Sequence, residues 1–252
     1  QMENTLLKKS FRVKDLKTIT FNSLWGHKGI FTTIRLIGNK PNLILAEEHL
    51  KKLNRDIQHF GIHFKISKKF LIRFIKNNSK IKSYDHLLRV AITKKILSLS
   101  LRKRIKEDKS FTAQIYCYQR VLPVFKNLQY KKIISLQKSI NLKKEEIIFY
   151  KRNKILEGST TNIICIRNNK LFIPKNSYYF GITISYLLKK LPYKVQKTDI
   201  IISNLSKFDE ILLVGSGKGV VSISSIKKLN WYRSSMKIYN FLSRKYSKLL
   251  IK

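Results

Sequence analysis

The chain is 252 residues long, and its 53 Lys and Arg against 14 Asp and Glu give a formal net charge of +39. A hydrophobic fraction of 43% with 11% aromatics suffices for a packed core, which excludes wholesale disorder and fits one large or two modest domains. Lysine supplies 41 of the cations and arginine 12, while alanine occurs 3 times and isoleucine 35 times, so the charge reads as compositional background; a patch selected for a polyanion is more often local and arginine-containing.

Residues 1–10 lack an apolar signal core, and a start at Gln1 leads us to expect upstream trimming. Residues 31–37 (FTTIRLI) form a β-rich run closed by the turn residues Gly38, Asn39 and Pro41. Leu50, Leu53, Ile57 and Phe60 follow at helical spacing, with Gly61 where a C-cap belongs. Residues 62–66 read as a short strand, the segment ISKKFLIRFIKN as a second amphipathic helix, and residues 89–93 as another strand. The charge run over residues 102–109 is expected to be a solvated loop at a domain junction. It divides the chain into a small N-terminal α/β domain, 1–108, and a larger C-terminal one, 109–252. Beyond it, residues 113–119 alternate as a strand, and residues 162–173 form a hairpin turning at Arg167, Asn168 and Asn169. Residues 182–190 are helical, 210–214 (EILLV) a buried strand, and a last helix starts near Ser234 with Ile238, Phe241, Leu242, Lys245 and Leu249 along its stripe. This mixture predicts an α/β or α+β protein in two parts.

Cys117 and Cys165 stand alone, and the histidines 27, 49, 59, 63 and 86 show no ligand spacing, so neither a disulfide framework nor a metal site is expected. No uncharged apolar run approaches the roughly 18 residues of a membrane span. A reducing, cytoplasmic setting follows as the expectation.

The segment Glu157-Gly158-Ser159-Thr160-Thr161-Asn162 places a scarce acid among small polar residues. Downstream, Gly181-Ile182-Thr183 opens a helix, whose free N–H groups can hold a phosphate. Gly215-Ser216-Gly217-Lys218-Gly219 follows a buried strand and can do the same. Singly, each block is also what an ordinary tight turn contains.

Together the blocks resemble the aminotransferase class IV group, the fold-type IV pyridoxal-phosphate enzymes, over about residues 26–226. That group includes branched-chain and D-amino-acid aminotransferases and 4-amino-4-deoxychorismate lyase. The resemblance implies the two-domain D-amino-acid-aminotransferase-like fold, a cofactor site at the domain interface, pyridoxal 5'-phosphate and a homodimer. Gly29 to Arg35 (GIFTTIR) is similar to the family's G-x-F-E/T-T-x-R strand, which puts Arg35 on the cofactor phosphate. Lys126 to Tyr130 (KNLQY) is similar to K-x-L-N-Y, which makes Lys126 the Schiff-base lysine in the second domain, 31 residues before Glu157. By the same resemblance Glu157 is expected to contact the pyridine nitrogen, and Ile182, Thr183, Ser216 and Gly217 to bind phosphate. Lys94 lies about where lyases of the group place a carboxylate-binding arginine, although a surface lysine would look the same.

Gln129 stands for the usual Asn, Ile184 for a basic residue, Ile173 for Thr, Lys28 for Asp, and Gly219 and Val221 for Glu and Thr of the aminotransferase form. These departures bear on substrate more than on fold. Thr32, where aminotransferases mostly carry Glu, and the missing E-V-T-P element lean toward the lyase, with Thr32 relaying a proton to the leaving enolate. An aminotransferase for branched-chain or D-amino acids is the alternative. A non-catalytic basic protein that binds polyanions through its terminal helix is a remote third. The expected partner is a small amino substrate, with no specific nucleic acid and no membrane.

Overall fold

The computed structural model describes residues 5–251, so the first residues of the chain, which bear on how it begins, lie outside the described part. The chain divides into two compact units, Gln1–Arg104 with Phe125–Lys132, and Ile105–Val124 with Ile133–Lys252. Residues 125–132, read above as part of the second domain, group with the first unit because their backbone pairs there. The Phe31 N–H donates to the Lys126 carbonyl at 2.9 Å, and the Leu128 N–H to the Gly29 carbonyl at 3.0 Å.

The first unit is built on a six-stranded antiparallel sheet of order β2-β1-β6-β5-β3-β4. Its strands are β1 (Thr5–Arg12), β2 (Thr18–Ile19), β3 (Ile30–Gly38), β4 (Asn42–Leu43), β5 (Tyr84–Ile92) and β6 (Ile96–Lys103). Helices α1 (Ala46–Gln58) and α2 (Lys68–Asn78) bury their apolar stripes against one face. Ile34, Leu36, Leu88, Val90, Leu97 and Leu99 meet Leu50, Leu53, Ile57, Leu71 and Ile75 in one core. Strand alternation leaves the other side chains of β3, β5 and β6 on the opposite face.

Two expectations change in this unit. Residues 62–66 form no strand, and at their end the Asn54 side chain takes the place of a strand partner for the Ile66 backbone. It donates to the carbonyl at 2.9 Å and accepts from the N–H at 3.0 Å. The charge run does not begin as a solvated loop: Arg102 and Lys103 complete β6, where Arg102 pairs across from Leu87.

The second unit has two five-stranded sheets. One, of order β16-β15-β7-β8-β9, comprises β7 (Thr112–Cys117), β8 (Glu145–Lys151), β9 (Lys154–Gly158), β15 (Ser225–Ile226) and β16 (Trp231–Tyr232). The other, of order β12-β11-β10-β13-β14, comprises β10 (Asn162–Arg167), β11 (Lys170–Pro174), β12 (Val195–Thr198), β13 (Glu210–Gly215) and β14 (Gly219–Ser222). The β10–β11 hairpin turns at Asn168 and Asn169, both at positive φ, as two-residue hairpins require.

A core of Phe111, Ile148, Ile155, Ile163, Cys165, Ile211 and Leu213 fills the space between these sheets. On the far side of the second sheet, α4 (Ile182–Leu188) and α5 (Lys237–Ile251) pack against Ile164, Leu212, Val214 and Val220. Helix α3 (Lys131–Gln137) lies in sequence between the 125–132 segment and β8. Ile173 and Ile184, two of the departures from the family pattern, are 1% exposed and belong to this helix–sheet core. The start of α5 is fixed by buried Glu210, whose carboxylate accepts from the N–H groups of Ile238 and Tyr239 at 2.9 and 2.8 Å. Among the described residues no helix is long and apolar enough to cross a membrane.

Candidate active site

In the first unit the sequence-predicted residues sit on both faces of β3. Thr32 points toward the helices, 3% exposed, and shares a hydrogen bond of 2.8 Å with Nδ1 of buried His49 on α1. Burial, with the charges of Lys126 and then Lys52 adding to it, pulls the His49 imidazole down to about 3 from its usual 6.5, so it is neutral near pH 7. Lys52, one turn along α1 from His49, is itself lowered by burial, against the opposing pull of Asp56.

Arg35 faces the other way. Its Nη2 donates to Asp85 at 3.1 Å, and the same carboxylate accepts from Arg104 Nε at 3.1 Å. Lys126 follows Phe125, which packs against the helix side of the core. Its Nζ lies 5.0 Å from the centre of the Phe31 ring. Phe31, Trp25 and Tyr130 form an aromatic cluster with centroids 4.9 to 5.6 Å apart. Thr33 shares the Phe31 face by alternation and pairs across from Arg89. Lys94 is exposed in the β5–β6 turn, against Gly61.

The close approach that seats Lys126 depends on Gly29. A Cβ there would lie 2.3 Å from the Ile92 carbonyl oxygen and 2.9 Å from the Leu128 side chain. Only a glycine lets β3 enter between β5 and the 125–132 segment at this point.

In the second unit a hydrogen-bonded network joins the remaining predicted residues. Glu157, 6% exposed at the end of β9, is gripped by Arg120 through Nε at 2.7 Å and Nη2 at 3.1 Å. Arg120 is anchored in turn by the Pro123 carbonyl at 2.7 Å. The Tyr179 N–H donates to the second Glu157 oxygen at 3.3 Å. The Asn162 side chain then donates to the Tyr179 carbonyl at 2.6 Å and accepts from the Gly181 N–H at 2.9 Å. Gly181 is the N-cap of α4, with no side chain closing the first turn, and Thr183 shares a 3.1 Å hydrogen bond with Ser216. Glu157, the Ile182–Thr183 turn and the Ser216–Gly217 turn are thereby linked. Burial and the charge of Glu157 push the Tyr178 phenol up to about 12, so it stays a neutral donor.

Sequence reasoning did not single out Arg120, His49, Thr33 or Arg89, which the fold sets beside the predicted residues. Arg120 was legible only as one of few arginines, because its partner lies 37 residues away. His49 looked like ordinary packing, since α1 itself supplies only Lys52, and Lys126 comes to it from a segment far along the chain. Thr33 was visible in the FTTIR run, but choosing between adjacent threonines needs the strand's facing.

Solved structures share this two-unit α/β architecture. A branched-chain aminotransferase from the archaeon Thermoproteus uzoniensis, crystallised with norvaline, matches with a TM-score of 0.78 at 20% identity, over 97% of this chain and 95% of that one. A candidate 4-amino-4-deoxychorismate lyase from Legionella pneumophila gives 0.75 at 20% identity, over 88% and 91%. A branched-chain amino acid aminotransferase from Thermobaculum terrenum, in its PLP form, gives 0.77 at 17%, over 99% and 95%. At these identities the likeness is one of fold. No protein of curated function matches the chain in sequence. The class is that of fold-type IV enzymes that use pyridoxal phosphate. Residues 29–226 match the amino-transferase class IV family, and the chain belongs to it.

Proposed function

We propose that this enzyme is a lyase that converts 4-amino-4-deoxychorismate to 4-aminobenzoate and pyruvate, a step toward folate, as a cytoplasmic homodimer. The observation that carries the reading is the pair of hydroxyls on β3. Thr32 is bonded to a neutral histidine, and Thr33 lies on the face of Phe31, the ring that the Lys126 ammonium approaches.

The donor set fits pyridoxal phosphate. Glu157 is an acceptor for a protonated ring nitrogen, the first-turn amides of α4 with the Thr183 and Ser216 hydroxyls suit a phosphate, and Lys126 is an amine to tether the aldehyde. When bound, the cofactor supplies an electron sink for the carbanion formed at the substrate carbon bearing nitrogen.

The chain's residues do the rest. Lys126 takes the proton from that carbon at Nζ, acting as general base. The bond from ring carbon to the enolpyruvyl oxygen then breaks, and the leaving enolate takes up a proton. We assign that donation to a threonine hydroxyl: Thr33 as the donor on the side of Lys126, with Thr32 orienting His49. Arg120 fixes the Glu157 carboxylate so that it meets the ring nitrogen without reorganising. Because Arg35 is paired with Asp85, it serves the phosphate only by dividing its guanidinium between two anions. Lys94, exposed in its turn, would reach substrate only with its far end.

The likeness to branched-chain aminotransferases supports a second reading, amine transfer to 2-oxoglutarate by the same lysine. Purified enzyme supplied with 4-amino-4-deoxychorismate should release pyruvate and 4-aminobenzoate, and Thr33→Val should lower that rate by roughly the 10²–10⁴-fold of a lost acid–base group. Turnover of leucine or D-alanine with 2-oxoglutarate, without pyruvate release from the first substrate, would replace the lyase by the aminotransferase. Lys126→Ala should abolish the yellow, borohydride-trappable adduct; a colourless wild-type protein under excess cofactor would sink both.

A further inference from the structure

The direction in which Glu157 points is set where β9 breaks step with β8. Lys151 pairs with Lys154 and Tyr150 with Ile155, but Phe149 pairs with Glu157 and Ile148 with Gly158, so Leu156 is an extra residue. Such a bulge re-aims the side chain that follows it. Only two ladder pairs remain before β9 ends at Gly158, too few to hold that end by themselves. The turn over residues 158–161 holds it instead. The Gly158 N–H donates to the Thr161 carbonyl at 2.9 Å, and the Ser159 N–H to the Ile147 carbonyl at 2.8 Å.

The side chain that fastens this turn is Glu146, near the start of β8. One carboxylate oxygen accepts from Ser159 Oγ at 2.5 Å and from the Ile147 N–H at 3.0 Å, and the other accepts from Thr160 Oγ1 at 3.2 Å. Gln137 Nε2 donates to Ser159 Oγ at 2.8 Å, which leaves that hydroxyl to give its own proton to Glu146. Glu146 is fully buried, and among the described residues it has no ion pair. A buried carboxylate without a cation is costly unless donors surround it. The chemistry of Lys126 and Glu157 does not use this one, and in a chain with 14 acids its placement asks for a reason. A carboxylate offers acceptors alone, so both hydroxyls must donate toward it and the turn has one arrangement. An amide at this position would permit others.

We propose that Glu146 is a positioning residue for Glu157: through Ser159 and Thr160 it fixes the backbone end of the side chain whose carboxylate is read above as the partner of the cofactor's ring nitrogen. Arg120 alone does not do this. Its fork grips the carboxylate, and its own anchor is the Pro123 carbonyl in the loop after β7, but a paired side chain still swings with its backbone. With Glu146 removed, the Arg120–Glu157 pair persists while the acceptor drifts from the line of the ring N–H, and a misaligned hydrogen bond weakens steeply. The loss falls on protonation of that nitrogen more than on retention of the cofactor, because the phosphate is assigned to other turns. The proposal rests on the reading of Glu157 given above and goes beyond it in naming what sets its aim.

Magnetic resonance of pyridoxal phosphate isotope-labelled at the ring nitrogen, bound at saturation to the enzyme, tests it, since that resonance moves far upfield on protonation. The wild type should give the protonated position, and Glu157→Gln the reference for its loss. Glu146→Ala should carry the signal at least halfway to that reference, and Ser159→Ala part of the way. Glu146→Gln, which keeps an acceptor for Ser159, should return part of the wild-type position. A buried group that only supports the fold would lower the thermal midpoint of Glu146→Ala and leave the signal of the bound cofactor where it was; that result overturns the proposal. Should Glu146→Ala not fold, Ser159→Ala decides alone, and an unmoved signal there overturns it equally. A response to Glu157→Gln with none to Glu146→Ala or Ser159→Ala leaves Glu157 in its role and removes Glu146. A signal that ignores Glu157→Gln, or a wild type that takes up no cofactor, sinks the reading of Glu157 and the proposal with it.

Discussion

Burial makes His49 one of the groups that link the folding of the first unit to pH. Folded, it stays neutral down to about 3, held there by burial first and then by the charges of Lys126 and Lys52. In the unfolded chain the same imidazole takes a proton near its ordinary 6.5. Between those two values the unfolded state binds the extra proton, so stability falls as pH falls through the window, by up to about 1.4 kcal/mol per pH unit from this group. Above the window both states are neutral and His49 adds no slope. Urea midpoints measured from pH 7 to 4 should therefore drop less steeply in His49→Asn than in the wild type; parallel curves would remove His49 from the account. The phosphate role proposed for Arg35 can be tested against Lys52 in the same surroundings. Arg35 is engaged by Asp85, whereas Lys52 lies close enough to Lys126 for both to act on His49. Lys52→Ala is accordingly expected to weaken cofactor binding roughly tenfold or more, as losing one charge-assisted contact does, and Arg35→Ala less. Absorbance titration with pyridoxal phosphate measures both, and the opposite order would return the role to Arg35.

At the level of elements, the junction of β3 with the 125–132 segment sets where Lys126 stands. Gly29→Ala would push a methyl to 2.3 Å from the Ile92 carbonyl, an overpacking of about 1–3 kcal/mol. The strands must part to relieve it, and the bond from the Phe31 N–H to the Lys126 carbonyl lies on that seam. A lower thermal midpoint with a reduced yield of the borohydride-trapped lysine adduct is the expected result; a normal adduct yield would mean that the seam does not position the amine. What the sequence could and could not convey divides along similar lines. Helices α1 and α2 were legible because their apolar residues keep one period throughout, and the β10–β11 hairpin because two asparagines mark its turn. Strand β1 was not, since Leu6-Leu7 and Lys8-Lys9 come in pairs that break alternation, and only pairing with β6 defines it. Residues 62–66 were β-like in composition, but a side chain 12 positions away took the backbone hydrogen bonds. Ordered motifs singled out Glu157 and the two hydroxyl-bearing turns, which the fold links by hydrogen bonds. The partners that hold them, Arg120 and Asn162 with Tyr179, depend on long-range folding that no local pattern encodes.

Over the whole molecule, the net charge of +39 shapes solution behaviour more than chemistry. Among the described residues no lysine is fully buried, so most of the excess charge lies where salt can screen it. Self-repulsion among such charges destabilises the compact state, and the range of that repulsion shrinks from about 30 Å at 0.01 M salt to about 8 Å at 0.15 M. Few acids are present to form surface pairs that salt would weaken in turn. The thermal midpoint should therefore rise with ionic strength, and for a chain of this size each kcal/mol of relief moves it by about 2–4 °C. Duplex DNA gives the complementary measurement. Binding that reflects background charge should be weak, indifferent to sequence and lost steeply as log salt rises, because it consists of released counterions. It should match an unrelated protein of equal charge and survive Lys126→Ala unaltered. A midpoint that falls with salt, or DNA binding that resists salt and exceeds the matched control, would mean that part of the lysine excess forms a built surface. In that case the α5 cations Lys237, Arg244, Lys245 and Lys248 are the first to substitute. The buried residues of that helix, Ile238, Leu242 and Tyr246, already belong to the core of the second unit, so neutralising its outer face would test the surface without disturbing the fold.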